Sequence, residues 1–178
     1  GLSAGMLLVS IGAGGPFHKT VLYVLEHQDE GSLAVILNTL SDGSGVSPCS
    51  GDFSVSIRLG GPIETQQDMC IHNIQDFPGA ERLLRPEPVF LSRTPIAQLK
   101  SMWLKRREQS PGDAKVVAIR GISSWGEHQL DGEIRAASWG WIRPEHVKSE
   151  DVLEMDEEKL SGLWDRLINS PNLQIAPG

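Results

Sequence analysis

The chain has 178 residues, of which 39% are hydrophobic and 22% charged, and its formal net charge is −7 at pH 7. That length and composition suit a soluble globular chain with one domain, placed over residues 1–178, and enough apolar material for a substantial core. The acidic balance disfavours nonspecific nucleic-acid binding, which needs a basic surface, and no apolar run approaches the roughly 20 residues of a membrane-spanning helix.

Met6-Leu7-Leu8-Val9-Ser10-Ile11 reads as the first strand; the wider apolar segment lacks the basic flank of a signal peptide. The run Gly12-Ala13-Gly14-Gly15-Pro16 has no G-K-[ST] and leads into a strand rather than a helix. Phosphate binding is therefore disfavoured, because the oriented amides of a helix N-terminus are missing. Thr20–His27 and Ser32–Asn38 form two consecutive strands joined by the polar turn Gln28-Asp29-Glu30-Gly31, where Gly31 can take a positive φ. Val21, Tyr23 and Leu25 point one way and Leu22 and Val24 the other, so the first of these strands is covered on both faces. Glu26 and His27 lie at one end of the pair and Asn38 at the other, and they meet only if the ladder slips.

Ser41–Asp52, rich in Ser and Gly, is expected as an exposed loop carrying Cys49. Phe53–Leu59 alternates apolar and polar, the period of a half-buried strand. It ends at Gly60-Gly61-Pro62-Ile63, a sharp corner in which Pro62 stops the ladder. Asp68–Asn73 and Pro88–Ser92 are further strands, with an irregular, Pro-rich connection between them. Cys70 and His72 share a face, but no CxxC or Cys/His zinc spacing accompanies them, so packing is preferred to metal ligation and both cysteines are read as free thiols.

A helix is predicted over Pro95–Arg107, with Thr94 as N-cap, Pro95 at the first position and Ile96, Leu99 and Trp103 as its buried stripe. Lys100, Lys105, Arg106 and Arg107 read as a solvated helix end. Ala114–Ile119 is another strand. In Gly121–Ile134, Ser124 and Glu127 fit a capping box, and Leu130, Ile134 and Ala137 give a narrow apolar stripe with Gln129 and Glu133 beside it. Trp139 and Trp141 share one face of a short strand. A last helix is predicted over Glu157–Asn169, capped by Asp156, with Leu160, Leu163, Trp164, Leu167 and Ile168 at amphipathic spacing. The reading totals about seven or eight strands and about three helices.

Three stretches together carry a resemblance: T-V-L-Y-V-L-E-H…G-S-L-A-V-I-L-N from Thr20, Gly60-Gly61-Pro62-Ile63, and Gly121-Ile122-Ser123-Ser124-Trp125…Gln129-Leu130…Glu133-Ile134 followed by Trp139. In this order they resemble the signatures of the YqgE/AlgH family of bacterial and plant proteins. The sequence departs from that pattern at Thr39-Leu40, where the family has Arg-Pro, and at Gly14–Phe17. The resemblance implies an α+β fold with a bent, mostly antiparallel sheet flanked by helices. It implies little about activity, since the family is largely uncharacterised. One bacterial branch is described as a regulator of alginate production, and some plant members are joined to thioredoxin-like domains. The corresponding compartments are the cytoplasm or an organelle, a plastid for a plant or alga.

The candidate functional cluster is Glu26, His27, Asn38, Gly60, Gly61, Pro62, Trp125, Gln129 and Glu133. With no nucleophile motif, metal set, cofactor motif or phosphate loop, the leading expectation is a non-catalytic binding or regulatory module that contacts a protein partner or a small-molecule ligand. The alternative is a hydrolase using Glu26, His27, Asn38, His128, Gln129 and Glu133 as a polar cluster, which requires those side chains to converge on one pocket. A third reading, redox coupling through Cys49 or Cys70, requires a neighbour that stabilises the thiolate.

Overall fold

In the computed structural model, which describes residues 1–12, 17–40, 47–50, 52–108 and 112–177, the chain opens with β1 (Leu7–Ser10), β2 (Val21–Gln28) and β3 (Gly31–Ile36), each antiparallel to the next. There follow β4 (Ser47–Ser50), β5 (Phe53–Leu59), β6 (Cys70–His72), β7 (Glu81–Leu84) and β8 (Val89–Ser92), and then α1 (Ile96–Arg106). β9 (Ala114–Arg120), β10 (Ser123–Gly126), α2 (Gln129–Arg135) and β11 (Trp139–Ile142) come next. A 3₁₀ turn (Pro144–His146) and α3 (Ser149–Val152), α4 (Glu157–Ser161) and α5 (Leu163–Ile168) complete the chain.

The class is α+β, but the strands form two sheets rather than one bent sheet of seven or eight. The described residues give a five-stranded sheet ordered β10-β3-β2-β1-β11 and a six-stranded sheet ordered β4-β5-β9-β6-β8-β7. The first is antiparallel throughout, whereas the second contains the parallel pair β5–β9. Three strands were not expected. β4 lies in the stretch read as a loop, β7 in the stretch read as irregular, and β10 in the supposed capping box. None has a two-residue hydrophobic period long enough to announce itself, and each exists because a neighbouring strand offers its edge.

Packing follows the two sheets. A central cluster takes Val21, Tyr23 and Leu25 from the first sheet and Ile71, Leu91 and Val117 from the second. It is closed by Val152, Leu160 and Leu163 of the C-terminal helices. The outer face of the second sheet holds Phe53, Cys70 and Val116 against Leu99 and Trp103 of α1. The outer face of the first sheet holds Leu22, Val24 and Trp139 against Leu130 of α2. β2 is therefore covered on both faces, as its sequence requires. Burying each large side chain of these clusters contributes about 1.5–3 kcal/mol.

β5 departs from the half-buried expectation. Phe53 and Val55 face α1, and the polar positions on the other face are enclosed as well, with Ser56 1% and Arg58 0% exposed. The helices also differ in detail. α1 begins at Ile96 after Pro95, without a side-chain cap, and the Thr94 hydroxyl donates to Gln98 Oε1 at 2.8 Å instead. The expected final helix divides at Gly162 into α4 and α5. Asp156 does cap α4, accepting from the amides of Glu158 and Lys159, and Leu160 of α4 with Leu163 and Leu167 of α5 form the buried stripe.

Candidate functional site

The end of the β2–β3 hairpin is shaped by a bulge. Val24 pairs with Ala34, and Glu26 with Leu33, so Leu25 is the extra residue. A bulge reverses the alternation beyond it. Glu26 consequently lies on the same side as Leu25 and forms an ion pair with Arg93, which also binds Glu81, tying the two sheets together. His27 turns to the α2 side, where Nδ1 lies 2.7 Å from the hydroxyl of Ser32, its cross-strand partner. A small cavity of about 60 Å³ adjoins it, lined by Asp29, Ser32, His128 and Asp131 among others. That volume holds a few waters and excludes an organic substrate. Gly31 matters through close approach, since a β-carbon there would lie 2.3 Å from the carbonyl oxygen of Trp125.

The other candidates occupy different surroundings. Asn38 sits at the opposite end of the hairpin, accepting from Val21 N at 3.0 Å and donating to Lys19 O at 2.9 Å. Six strand residues separate that end from His27, about 20 Å. Ser124 belongs to β10, which rules out the capping box, and α2 starts after His128, whose φ is 59°. Gln129 folds back so that Oε1 accepts from Gly126 N at 3.0 Å. The exposed His128 lies 3.3 Å from Glu127. Trp125 is buried among Phe17 and Trp139, with ring centroids 6.1 and 6.5 Å away. Glu133 accepts from Trp139 Nε1 at 3.5 Å, while its Oε2 is buried without a partner among the described residues.

Gly60, Gly61 and Pro62 form a structural junction. Here β9 leaves the second sheet and continues into β10 of the first, while the end of β5 reaches the first sheet through Gly60. Gly60 N donates to Arg120 O at 2.8 Å, and Gly60 O accepts from Ile36 N at 2.9 Å and from the Ser123 hydroxyl at 3.1 Å. A β-carbon on Gly60 would lie 2.4 Å from Gly121 O, and one on Gly61 2.3 Å from Ile122. The glycines are what allow two backbones to touch. The nine candidates thus fall into at least four environments and do not converge on one pocket.

Two polar groups are fully buried: Arg58, which sequence reasoning passed over, and His72, for which it preferred packing to metal ligation. Arg58 donates to Ser56 Oγ at 2.9 Å, to Leu37 O at 2.7 Å and to Glu154 O, joining β5, the end of β3 and the C-terminal segment. Burial lowers its pKa to about 10, opposed by Glu154. Its place in an alternating strand gave no sign of this, because its partner Glu154 lies 96 residues away. His72 is fully buried between Phe90 and Phe77, with centroids 5.8 and 5.9 Å away, and burial pushes it down to about 4. Its Nδ1 accepts from Ile74 N at 3.1 Å, so the neutral ring carries its proton on Nε2 and donates to Ser92 Oγ at 2.7 Å. A general base would have to accept from that hydroxyl, so this Ser–His pair is oriented against nucleophile activation.

No group of three His, Cys, Asp or Glu among the described residues is placed to hold a metal. Cys70 is buried, donates its thiol hydrogen to Thr94 O at 3.5 Å, and is pushed up to about 12 by burial and secondarily by Asp68. It is no thiolate near neutral pH. The Cys49 side chain and the glycine-rich run over 13–16 lie outside the described residues. Of the basic residues at the end of α1, Arg106 binds Asp76 O, and Arg107, just past the helix, covers Trp103 at 5.9 Å. Among the described residues no helix is long and apolar enough to cross a membrane.

Relatives of known sequence and structure agree with this architecture. A UPF0301 protein of Myxococcus xanthus is 29% identical over 184 residues, covering 98% of this chain and 93% of its own. One from Rhizorhabdus wittichii is 29% identical over 158 residues, covering 81% and 78%. Among solved structures, a Corynebacterium diphtheriae protein superposes with a TM-score of 0.69 at 18% identity, covering 96% of this chain and 88% of the other. The solution structure of the AlgH protein from Pseudomonas aeruginosa gives 0.59 at 19% identity, covering 92% and 87%. At these identities the structural matches carry the fold alone. The profile of the AlgH-like family matches residues 9–176, nearly the whole chain, and the protein belongs to that family.

Proposed function

We propose that this chain is a single AlgH-like domain over residues 1–178 that acts as a non-catalytic binding module, regulatory through contact with a protein partner or a small molecule. The observation that carries this reading is the dispersal of the polar candidates. Glu26 is held by Arg93, His27 by Ser32, Asn38 by Val21 and Lys19, and Gln129 by Gly126. Each completes a local structural contact, whereas acid–base catalysis needs such groups within hydrogen-bond reach of one reacting centre. The acidic net charge of −7 favours a protein or small-molecule partner over nucleic acid.

Native mass spectrometry of protein isolated gently from its source, paired with a panel of ester, amide and phosphoester substrates, tests the reading. A retained ligand or a defined hetero-assembly, without turnover, is the expected result. Turnover that disappears in His27→Ala or Glu133→Gln would overturn it.

A further inference from the structure

A chain of hydrogen bonds in the second sheet runs in one direction and ends at a cavity. Ile74 N–H donates to His72 Nδ1, and His72 Nε2–H donates to Ser92 Oγ. The Ser92 hydroxyl therefore serves as acceptor to the ring and keeps its own proton, for which no second protein contact is made among the described residues. A hydroxyl that already accepts a hydrogen bond is polarised into a better donor. Ser92 is 2% exposed and lines a cavity of about 310 Å³ together with Phe77, Pro78, Arg93, Thr94 and Gln98. Its volume lies at the lower end of the range for small-ligand sites, about 300–1,000 Å³.

The neighbours narrow the ligand class. The Thr94 hydroxyl is engaged by Gln98 Oε1, which leaves the Gln98 carboxamide nitrogen as a second donor at the rim. Phe77 and Pro78 give the cavity an apolar wall. Arg93 is shared between the carboxylates of Glu26 and Glu81, so the three groups together carry a net negative charge and repel a second anion. A donor-lined, partly apolar cavity with a negative rim fits a neutral acceptor. We propose that the cavity beside Ser92 is a binding site for a small neutral amide, whose carbonyl oxygen accepts from the Ser92 hydroxyl while its carbon skeleton rests on Phe77 and Pro78. The site rests on the binding-module reading. Its test is a titration independent of turnover, so either can fail alone.

The experiment is a ¹H–¹⁵N NMR titration of the full chain with N-methylacetamide and, separately, with acetate. N-methylacetamide is expected to give saturable shifts at Gly79, Ser92, Arg93 and Gln98 in about the millimolar range. Ser92→Ala should weaken it about tenfold, the worth of one buried hydrogen bond. Absence of saturable shifts, or tighter binding of acetate than of the amide, overturns the proposal. Should Ser92→Ala fail to fold, ¹⁵N shifts of the His72 ring in the unaltered protein still decide: a proton on Nδ1 instead of Nε2 would reverse the donor chain and remove its basis.

Discussion

Gly121 lies against the carbonyl oxygen of Gly61 so closely that a β-carbon on Gly121 would fall 2.3 Å from it. This contact lies just beyond the ends of β5 and β9, parallel neighbours in one sheet, where β9 passes into β10 of the other. It explains the Gly60-Gly61-Pro62 motif by backbone packing. The isolated bridge between Ile63 and Ile122 continues the contact beyond the corner.

Gly121→Ala should therefore destabilise strongly. Its φ is +78°, and the added carbon meets main-chain atoms that cannot swing aside. The left-handed conformation alone costs about 1–2 kcal/mol, and the clash adds at least as much. Gly132→Ala is the matched control, because it lies inside α2 with nothing within 4 Å of the new carbon. It should stabilise by about 0.5–1 kcal/mol. Urea denaturation of both variants checks the pair, and equal midpoints would contradict the packing account.

Arg58 anchors the C-terminal segment to the sheets. Arg58→Met removes a costly buried charge but leaves the Leu37 and Glu154 carbonyls without their donor, for a net loss of about 2 kcal/mol. Arg58→Lys should not rescue it, since a single ammonium cannot span two carbonyls in the fork geometry of a guanidinium. Hydrogen exchange should report the loss most strongly in α3, α4 and α5. Unchanged protection there would refute the anchoring role.

His72 makes stability depend on pH. Its folded pKa of about 4 lies below the ordinary 6.5, so the unfolded chain takes up the proton first as pH falls. The contribution is complete above about pH 6.5 and is lost progressively down to about pH 4, of order 3 kcal/mol in all. His72→Gln should flatten this part of the profile. Denaturation midpoints of both proteins across that interval provide the check, and parallel curves would assign the acid sensitivity to other groups.

Cys70 should resist thiol reagents in the folded state. Its thiol is raised to about 12 and 1% exposed, so modification must wait for unfolding. Peptide mapping after treatment with iodoacetamide should find Cys70 unlabelled in native protein and labelled in denaturant. Rapid native labelling would show an open route to the thiol and revive a redox role.

Hydrophobic periodicity in the sequence determined β2, β3, β5, the Leu99–Trp103 stripe of α1 and the Leu160–Leu167 stripe with its Asp156 cap, because periodicity and capping are local properties of neighbouring residues. The three signature stretches also identified the family. Tertiary structure alone decided the rest. The bulge at Leu25 sends Glu26 towards Arg93 and His27 towards Ser32, the reverse of simple alternation. Ser124 and Glu127 satisfy a local capping pattern, yet pairing of Ser124 with Leu33 makes that stretch a strand. Arg58 looks like the wet side of a half-buried strand, yet it is fully buried and donates to the distant Glu154 carbonyl. In each case the deciding partner lies far along the chain, and the free energy of a cross-strand pair or a buried contact outweighs a local preference worth about 1 kcal/mol or less.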